Sequence, residues 1–290
     1  MADGMDTVER RLNSTRAQLE TLEKELDGWT AGTAQERQSL STGMTLTLLD
    51  TLYSQILDEA FHDFSPEENG WEDRCSILHT FLCTAERTSP SIVADLLFPS
   101  GYTDIGEKLL SDLHAVLYRQ HGRVLAYHKS FSDFIFDQNR SGNFWCNQAM
   151  HHRLLADACF RRMKDGLRFN IADIPSSYMF DIDPMLAVAI KKNILPVLEY
   201  SCRNWSYHVS AAASIIRDGL LDSISDFLQV RALFWIEAMN LLRLCGLCGS
   251  MLQTVHDWVI SSKVSFLSFK YPVTDLMCHL GQLVISRRAN

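Results

Sequence analysis

His114-Ala115-Val116-Leu117-Tyr118-Arg119-Gln120, then His121-Gly122, then Arg123-Val124-Leu125-Ala126-Tyr127-His128 is the one convincing β signal in the chain. Two β-prone runs flank a two-residue connection ending in Gly. Such a turn needs positive φ at both central positions, which Gly accepts without strain, so the run predicts a hairpin. Ser130 is then expected to cap a helix carrying Phe131, Phe134, Ile135 and Phe136. Upstream, apolar residues recur at helical spacing. A helix over 44–62 places Leu48, Leu49, Leu52, Tyr53, Ile56, Leu57 and Ala60 on one broad face. A second, over 71–84, carries Ile77, Leu78, Phe81 and Leu82. A third opens at Ser89-Pro90, since a Pro in the first turn lacks only an N–H that the helix does not need there. A fourth covers 104–113.

Several short helices, a hairpin and another helix follow the layout of a winged-helix domain, here over 44–140. Beyond it the chain reads as helical again, over 148–165, 184–203, 206–218, 220–227, 229–243 and 247–262. Helix pairs of this length stack as a bundle or a short α-solenoid, assigned here to 141–262. Before the hairpin domain, Val8, Leu12, Thr15, Leu19, Leu22 and Leu26 alternate spacings of four and three. That is an a/d stripe of about three heptads, either a coiled coil or a helix packed on its own domain. Gly28 stops it, and Thr30–Gly43 reads as a polar linker. Residues 1–43 thus form an amphipathic helix and linker, and 263–290 a divergent tail. The expected fold class is mainly α.

Composition agrees. Of 290 residues, 47% are hydrophobic and 21% charged, and only 14 Gly and 7 Pro punctuate the chain, which favours helices over a many-turned β fold. The net charge of −8 weighs against a nucleic-acid binder, whose affinity rests on phosphate neutralisation. The expected recognition helix, about 104–113, holds Asp104, Glu107 and Asp112 against Lys108, and the hairpin adds only Arg119 and Arg123. The first residues lack the basic and apolar run of a secretory signal. No apolar stretch is long enough to span a bilayer. A cytoplasmic protein with free buried thiols is expected, with no membrane partner.

No set of residues that could carry catalysis emerges. The chain has no Gly-x-Ser-x-Gly elbow and no His-Glu-x-x-His helix. Cys245-Gly246-Leu247-Cys248 has the spacing of a metal knuckle, but a zinc site needs four ligands and no second pair exists. Buried thiols at a helix junction are the expected reading, with His256 alone downstream. His151-His152 with Cys159 supplies too few ligands and reads as a solvated pair near a helix start. Asp181 and Asp183, before Pro184, read as turn formers. Phe227, Phe234, Trp235, Met239 and Trp258 read as core. No enzyme activity, cofactor or metal is expected.

Several blocks taken together resemble fungal NACHT-type NOD-like proteins, signal-transducing NTPases that often end in WD repeats. They are Leu52–Leu57 (LYSQIL), Ile77–Thr80 with Ile92–Leu97 (ILHT, IVADLL), His128–Phe134 (HKSFSDF), Cys159–Met163 (CFRRM) and Tyr200–Trp205 (YSCRNW). The resemblance covers roughly 46–262 and matches the region after the nucleotide-binding core. It implies a winged helix followed by a helical domain. It also implies that His128 sits where a histidine of the superfamily contacts the β-phosphate of bound ADP. The departures are as specific. No Gly-x-x-x-x-Gly-Lys-Ser/Thr loop occurs, so the backbone cradle for phosphates is missing, and the WD repeats are absent. The expectation is a non-catalytic regulatory and protein-interaction segment. Its partners would be proteins: a NACHT-domain relative, or a second copy through residues 6–27. A winged-helix nucleic-acid binder and a truncated product without independent function are the alternatives.

Overall fold

The computed structural model describes residues 16–17, 20, 35–63, 69–98, 103–175, 184–212 and 219–261. They are mainly helical, with one two-stranded antiparallel sheet. The chain forms two compact units. The first takes in Met1–Leu82, Arg87–Pro90 and Thr103–Cys146, and the second Cys83–Glu86, Ser91–Tyr102 and Asn147–Asn290. Of the a/d stripe over 6–27, only Arg16, Ala17 and Glu20 are described, and they are helical. The rest of that stripe, Asp181, Asp183 and the tail lie outside the described residues.

Helix α1 (Gln35–Phe61) begins well before the expected start. The polar stretch assigned to a linker is helical from Gln35, because Gln, Glu and Arg are strong helix formers. A single interior Gly43 costs only about 1 kcal/mol, too little to stop a helix already propagating. Helices α2 (Asn69–Cys83), α3 (Pro90–Leu97) and α4 (Thr103–Asp112) follow near their expected places. The hairpin pairs β1 (Leu117–Gln120) with β2 (Arg123–Ala126), Leu117 opposite Ala126 and Gln120 opposite Arg123. Its strands are shorter than the sequence suggested. His114–Val116 instead turn the chain out of α4, with the N–H groups of Val116 and Leu117 both bonded to the Leu113 carbonyl at 3.0 and 2.8 Å. The turn has the expected geometry, with φ of 53° at His121 and 77° at Gly122. On the outer side of β2, the Val124 N–H reaches the Thr88 carbonyl at 2.9 Å.

The first unit closes around α1. Tyr53, Leu57 and Phe61 of α1, Ile77 and Leu78 of α2, Leu109 of α4, and Phe131 and Phe134 of α5 (Lys129–Ile135) are all buried. The Tyr53 ring meets Phe131 edge-on at 5.3 Å and Phe134 at 5.5 Å. Each such side chain contributes roughly 1.5–3 kcal/mol by leaving water. Leu48, expected on the apolar face, is 56% exposed, because it lies at the rim of a stripe wider than the surface it covers. Arg140 of α6 (Gln138–Ser141) grips Asp50 of α1 through two prongs, Nη2 to Oδ1 at 2.6 Å and Nε to Oδ2 at 3.0 Å. Arg74 is 2% exposed; its Nη2 donates to the Ala60 carbonyl at 2.8 Å and to Asp112 at 2.7 Å.

In the second unit, α7 (Gln148–Gly166) packs most extensively on α9 (Pro196–Ala211). The helix expected over 184–203 is divided. Helix α8 (Pro184–Asn193) stops, and α9 restarts at Pro196, which cannot donate to the preceding turn, and runs through the expected break at 204–205. Gly166 lets the pair approach closely, since a Cβ there would lie 2.8 Å from the Leu198 side chain. After α10 (Leu220–Asp226), a π turn at Phe227–Arg231 leads into α11 (Ala232–Leu241). Helix α12 (Cys248–Ser261) is the last described. Phe160, Trp205, Phe227 and Trp235 form an aromatic cluster, with ring centroids 4.9 Å apart for Trp205 and Phe227. The Trp235 indole N–H reaches the Cys202 carbonyl at 2.9 Å. Phe227, Trp235 and Met239 are buried as expected, and Phe234 and Trp258 are half-buried.

Candidate functional site

His128 occupies the junction between β2 and α5. Its backbone is extended, at φ −138° and ψ 144°, and it is the N-cap residue of α5. The sequence assigned that role to Ser130. A cap must come before the first helical turn, and the helix starts at Lys129, so the ring two residues earlier does the capping. The His128 Nδ1 accepts from the Ser130 N–H at 3.1 Å and lies 2.7 Å from the Ser130 hydroxyl. That hydroxyl lies 2.6 Å from the Tyr53 hydroxyl. Because Nδ1 accepts, the neutral ring carries its proton on Nε2. In the order Tyr53 O–H to Ser130 Oγ, and Ser130 O–H to His128 Nδ1, each hydroxyl proton meets an acceptor, with Nδ1 shared between the Ser130 O–H and N–H. The cap therefore fixes the tautomer and leaves Nε2–H as a hydrogen-bond donor.

His128 also borders a cleft of about 130 Å³, lined by Arg16, Glu20, Tyr53, Val116 and Tyr127 among others. The Arg16 guanidinium lies over the Tyr127 ring at 4.9 Å, and Tyr127 stacks on Tyr118 at 4.5 Å. Glu20 stands 3.7 Å from Arg16. The donors here suit a small anionic or hydrogen-bond-accepting group. The volume decides what cannot fit, because pockets for drug-sized ligands are roughly 300–1,000 Å³. Ser130 and His128 have the separation of a nucleophile and its base. Ser130 does not line the cleft, however, and its hydroxyl is already engaged by Tyr53.

The remaining candidates fall elsewhere. On α4, Glu107 forms an ion pair with Arg119 of β1, and Asp112 bonds buried Arg74. One of the hairpin's two cations is thus held by an acid of the expected recognition helix. Cys245 is half-buried and Cys248 fully buried at a helix junction, both as free thiols. Burial pushes the Cys248 thiol up to about 12, so it is held as the protonated thiol. His256 lies 3.3 Å from Asp257.

The His151-His152 pair is not solvated. Both residues are buried, at 8% and 5% exposure, because α7 turns that face inward. His152 Nδ1 lies 3.0 Å from Nδ1 of His208, and the Nε2 of His208 lies 2.9 Å from the Tyr200 hydroxyl. Burial holds His152 below its ordinary value, and burial together with the neighbouring imidazoles His152 and His151 pushes His208 down to about 3. Sequence reasoning missed His208 and Tyr200. Their one signal is a separation of about two helical turns on a single helix, which says nothing about a partner on another.

Comparison of the chain with protein-family profiles, with curated proteins and with solved structures finds no match.

Proposed function

We propose that this chain is a non-catalytic regulatory and protein-interaction segment of the kind that follows the nucleotide-binding core in NACHT-type NOD-like proteins. Residues 44–140 act as a winged-helix-like domain and 141–262 as a helical domain. One observation carries the reading. The Nδ1 of His128 is consumed by the α5 cap, so its other nitrogen is a fixed donor at an exposed position beside a cleft. A donor of that kind suits a phosphate oxygen. With no phosphate loop in the chain and a cleft too small for a nucleotide, the phosphate would have to be held by a nucleotide-binding core on another segment. The Glu107–Arg119 pair weighs against the nucleic-acid alternative, since it removes a cation from the hairpin.

Two measurements test this. Calorimetric titration of ADP into the chain alone should show no binding, and micromolar affinity would sink the idea that the pocket lies elsewhere. An ADP-loaded NACHT core should bind the chain, and His128→Asn should weaken that binding about tenfold, the loss of one hydrogen bond to a charged group. Asn retains the capping oxygen but not the ring donor. No association, or equal affinity for the variant, overturns the assignment.

A further inference from the structure

The contact between His152 and His208 has a property the proposed function does not use. Two Nδ1 atoms 3.0 Å apart can share a hydrogen bond only if one bears a proton and the other does not. The surroundings decide which. Among the described residues the buried Tyr200 hydroxyl has one hydrogen-bond partner, Nε2 of His208 at 2.9 Å, so its proton goes there. His208 must then carry its proton on Nδ1 and donate to His152. In the opposite arrangement Tyr200 would accept from His208, and its buried O–H would be left without an acceptor.

In this order every basic nitrogen of the His208 ring and the Nδ1 of His152 is already an acceptor. A proton added to His152 Nδ1 sets two N–H groups face to face. A proton added to His208 Nε2 turns Tyr200 from donor into acceptor and leaves its buried O–H without a partner. Proton uptake thus breaks one link of the chain at either place. The groups around the pair offer no relief. From α7 come His151, which opposes a charge on His208, and Cys159, a thiol held protonated by burial. From α9 comes Tyr207, whose ring meets His152 edge-on at 5.4 Å. From Cys83–Glu86 comes Glu86, already held by Arg203 at 3.2 Å and Asn204 at 3.3 Å. Helix α12 carries Cys248, His256 and Asp257, the last two paired with each other.

We propose that the His152–His208 contact is an acid-sensitive clasp between α7 and α9, closed while both rings are neutral and opened by proton uptake. The second unit is then most secure at neutral pH and loosens as pH falls below the ordinary histidine range. The direction follows from linkage. A histidine held neutral in the fold but titrating near 6.5 when unfolded leaves the unfolded state binding more protons in acid. The unfolding constant then rises up to tenfold per pH unit per histidine below about 6.5, and is unaffected above it.

The test uses the full chain. Urea unfolding followed by tryptophan emission, between pH 8 and 5, should show that rise for the unaltered protein. His208→Gln and His152→Gln should each remove about one tenfold-per-unit share of it. Equal pH dependence in all three overturns the proposal. If neither variant folds, histidine nitrogen resonances of the unaltered protein decide. His208 remaining neutral at pH 5 with an Nδ1-bound proton supports the clasp, and His208 titrating near 6.5 in the folded chain refutes it.

Discussion

Asp112 shows what single residues hold in place. Its carboxylate is the partner of Arg74, a guanidinium almost without solvent, whose Nη2 also donates to the Ala60 carbonyl. Removing one member of a buried pair strands the other. With Asp112 itself about one-third exposed, Asp112→Ala should destabilise the chain by about 2–3 kcal/mol, read by chemical unfolding. His128→Ala should lose about 1 kcal/mol, the value of an N-cap, whereas His128→Asn should lose little of it. At this scale the sequence marked His128 as a position of interest but assigned the cap to Ser130. It had no means to pair His152 with His208, because that contact spans two helices whose docking is set by Gly166, Leu198 and the aromatic cluster together.

Among the elements, the hairpin was the most legible. Its turn chemistry is local, and His121-Gly122 carry positive φ as the pattern required. Gly122→Val should destabilise by about 1–2 kcal/mol and His121→Asn should be neutral or slightly stabilising, since Asn tolerates the left-handed region better. Circular dichroism melts of both variants would check this. Gly166→Val should destabilise by roughly 1–3 kcal/mol by pressing into Leu198, a loss that a smaller side chain at 198 partly restores. Helix ends were read less well. The α8–α9 break belongs to Pro196, whereas periodicity alone ran past it. The start of α1 at Gln35 shows the reverse, a polar composition that is nonetheless helix-forming.

For the molecule as a whole, mainly helical architecture followed directly from low Gly and Pro content and helical spacing. Among the described residues no helix is long and apolar enough to cross a membrane. Self-association belongs to this scale. Light scattering after size exclusion should give an oligomer for the full chain and a monomer once residues 1–28 are removed. A monomer in both cases would dismiss the a/d stripe as a dimer seam. What no local signal announced was the division into two units along a path that leaves and returns, with Ser91–Tyr102 grouped with Asn147 onward. Compactness depends on long-range packing, which spacing rules do not encode.

The π turn at Phe227–Arg231 carries a consequence of its own. Phe227 and Trp235 meet at 5.8 Å although eight positions separate them. On an uninterrupted α-helix eight steps of about 100° leave two side chains about 80° out of phase. The wide turn absorbs one residue and brings them back into line. The segment is therefore sensitive to length more than to chemistry. Val230 is 55% exposed, and replacing it by Ala should pass almost unnoticed. Deleting it should turn the wide turn into an ordinary α turn, seven steps of about 100° leaving Phe227 and Trp235 only about 20° apart, whereas adding one more residue should rotate everything beyond by about a quarter turn and swing Trp235 and Met239 out of the core. A lineage could rewrite the exposed positions of this turn, or lose one of them, but could not add another.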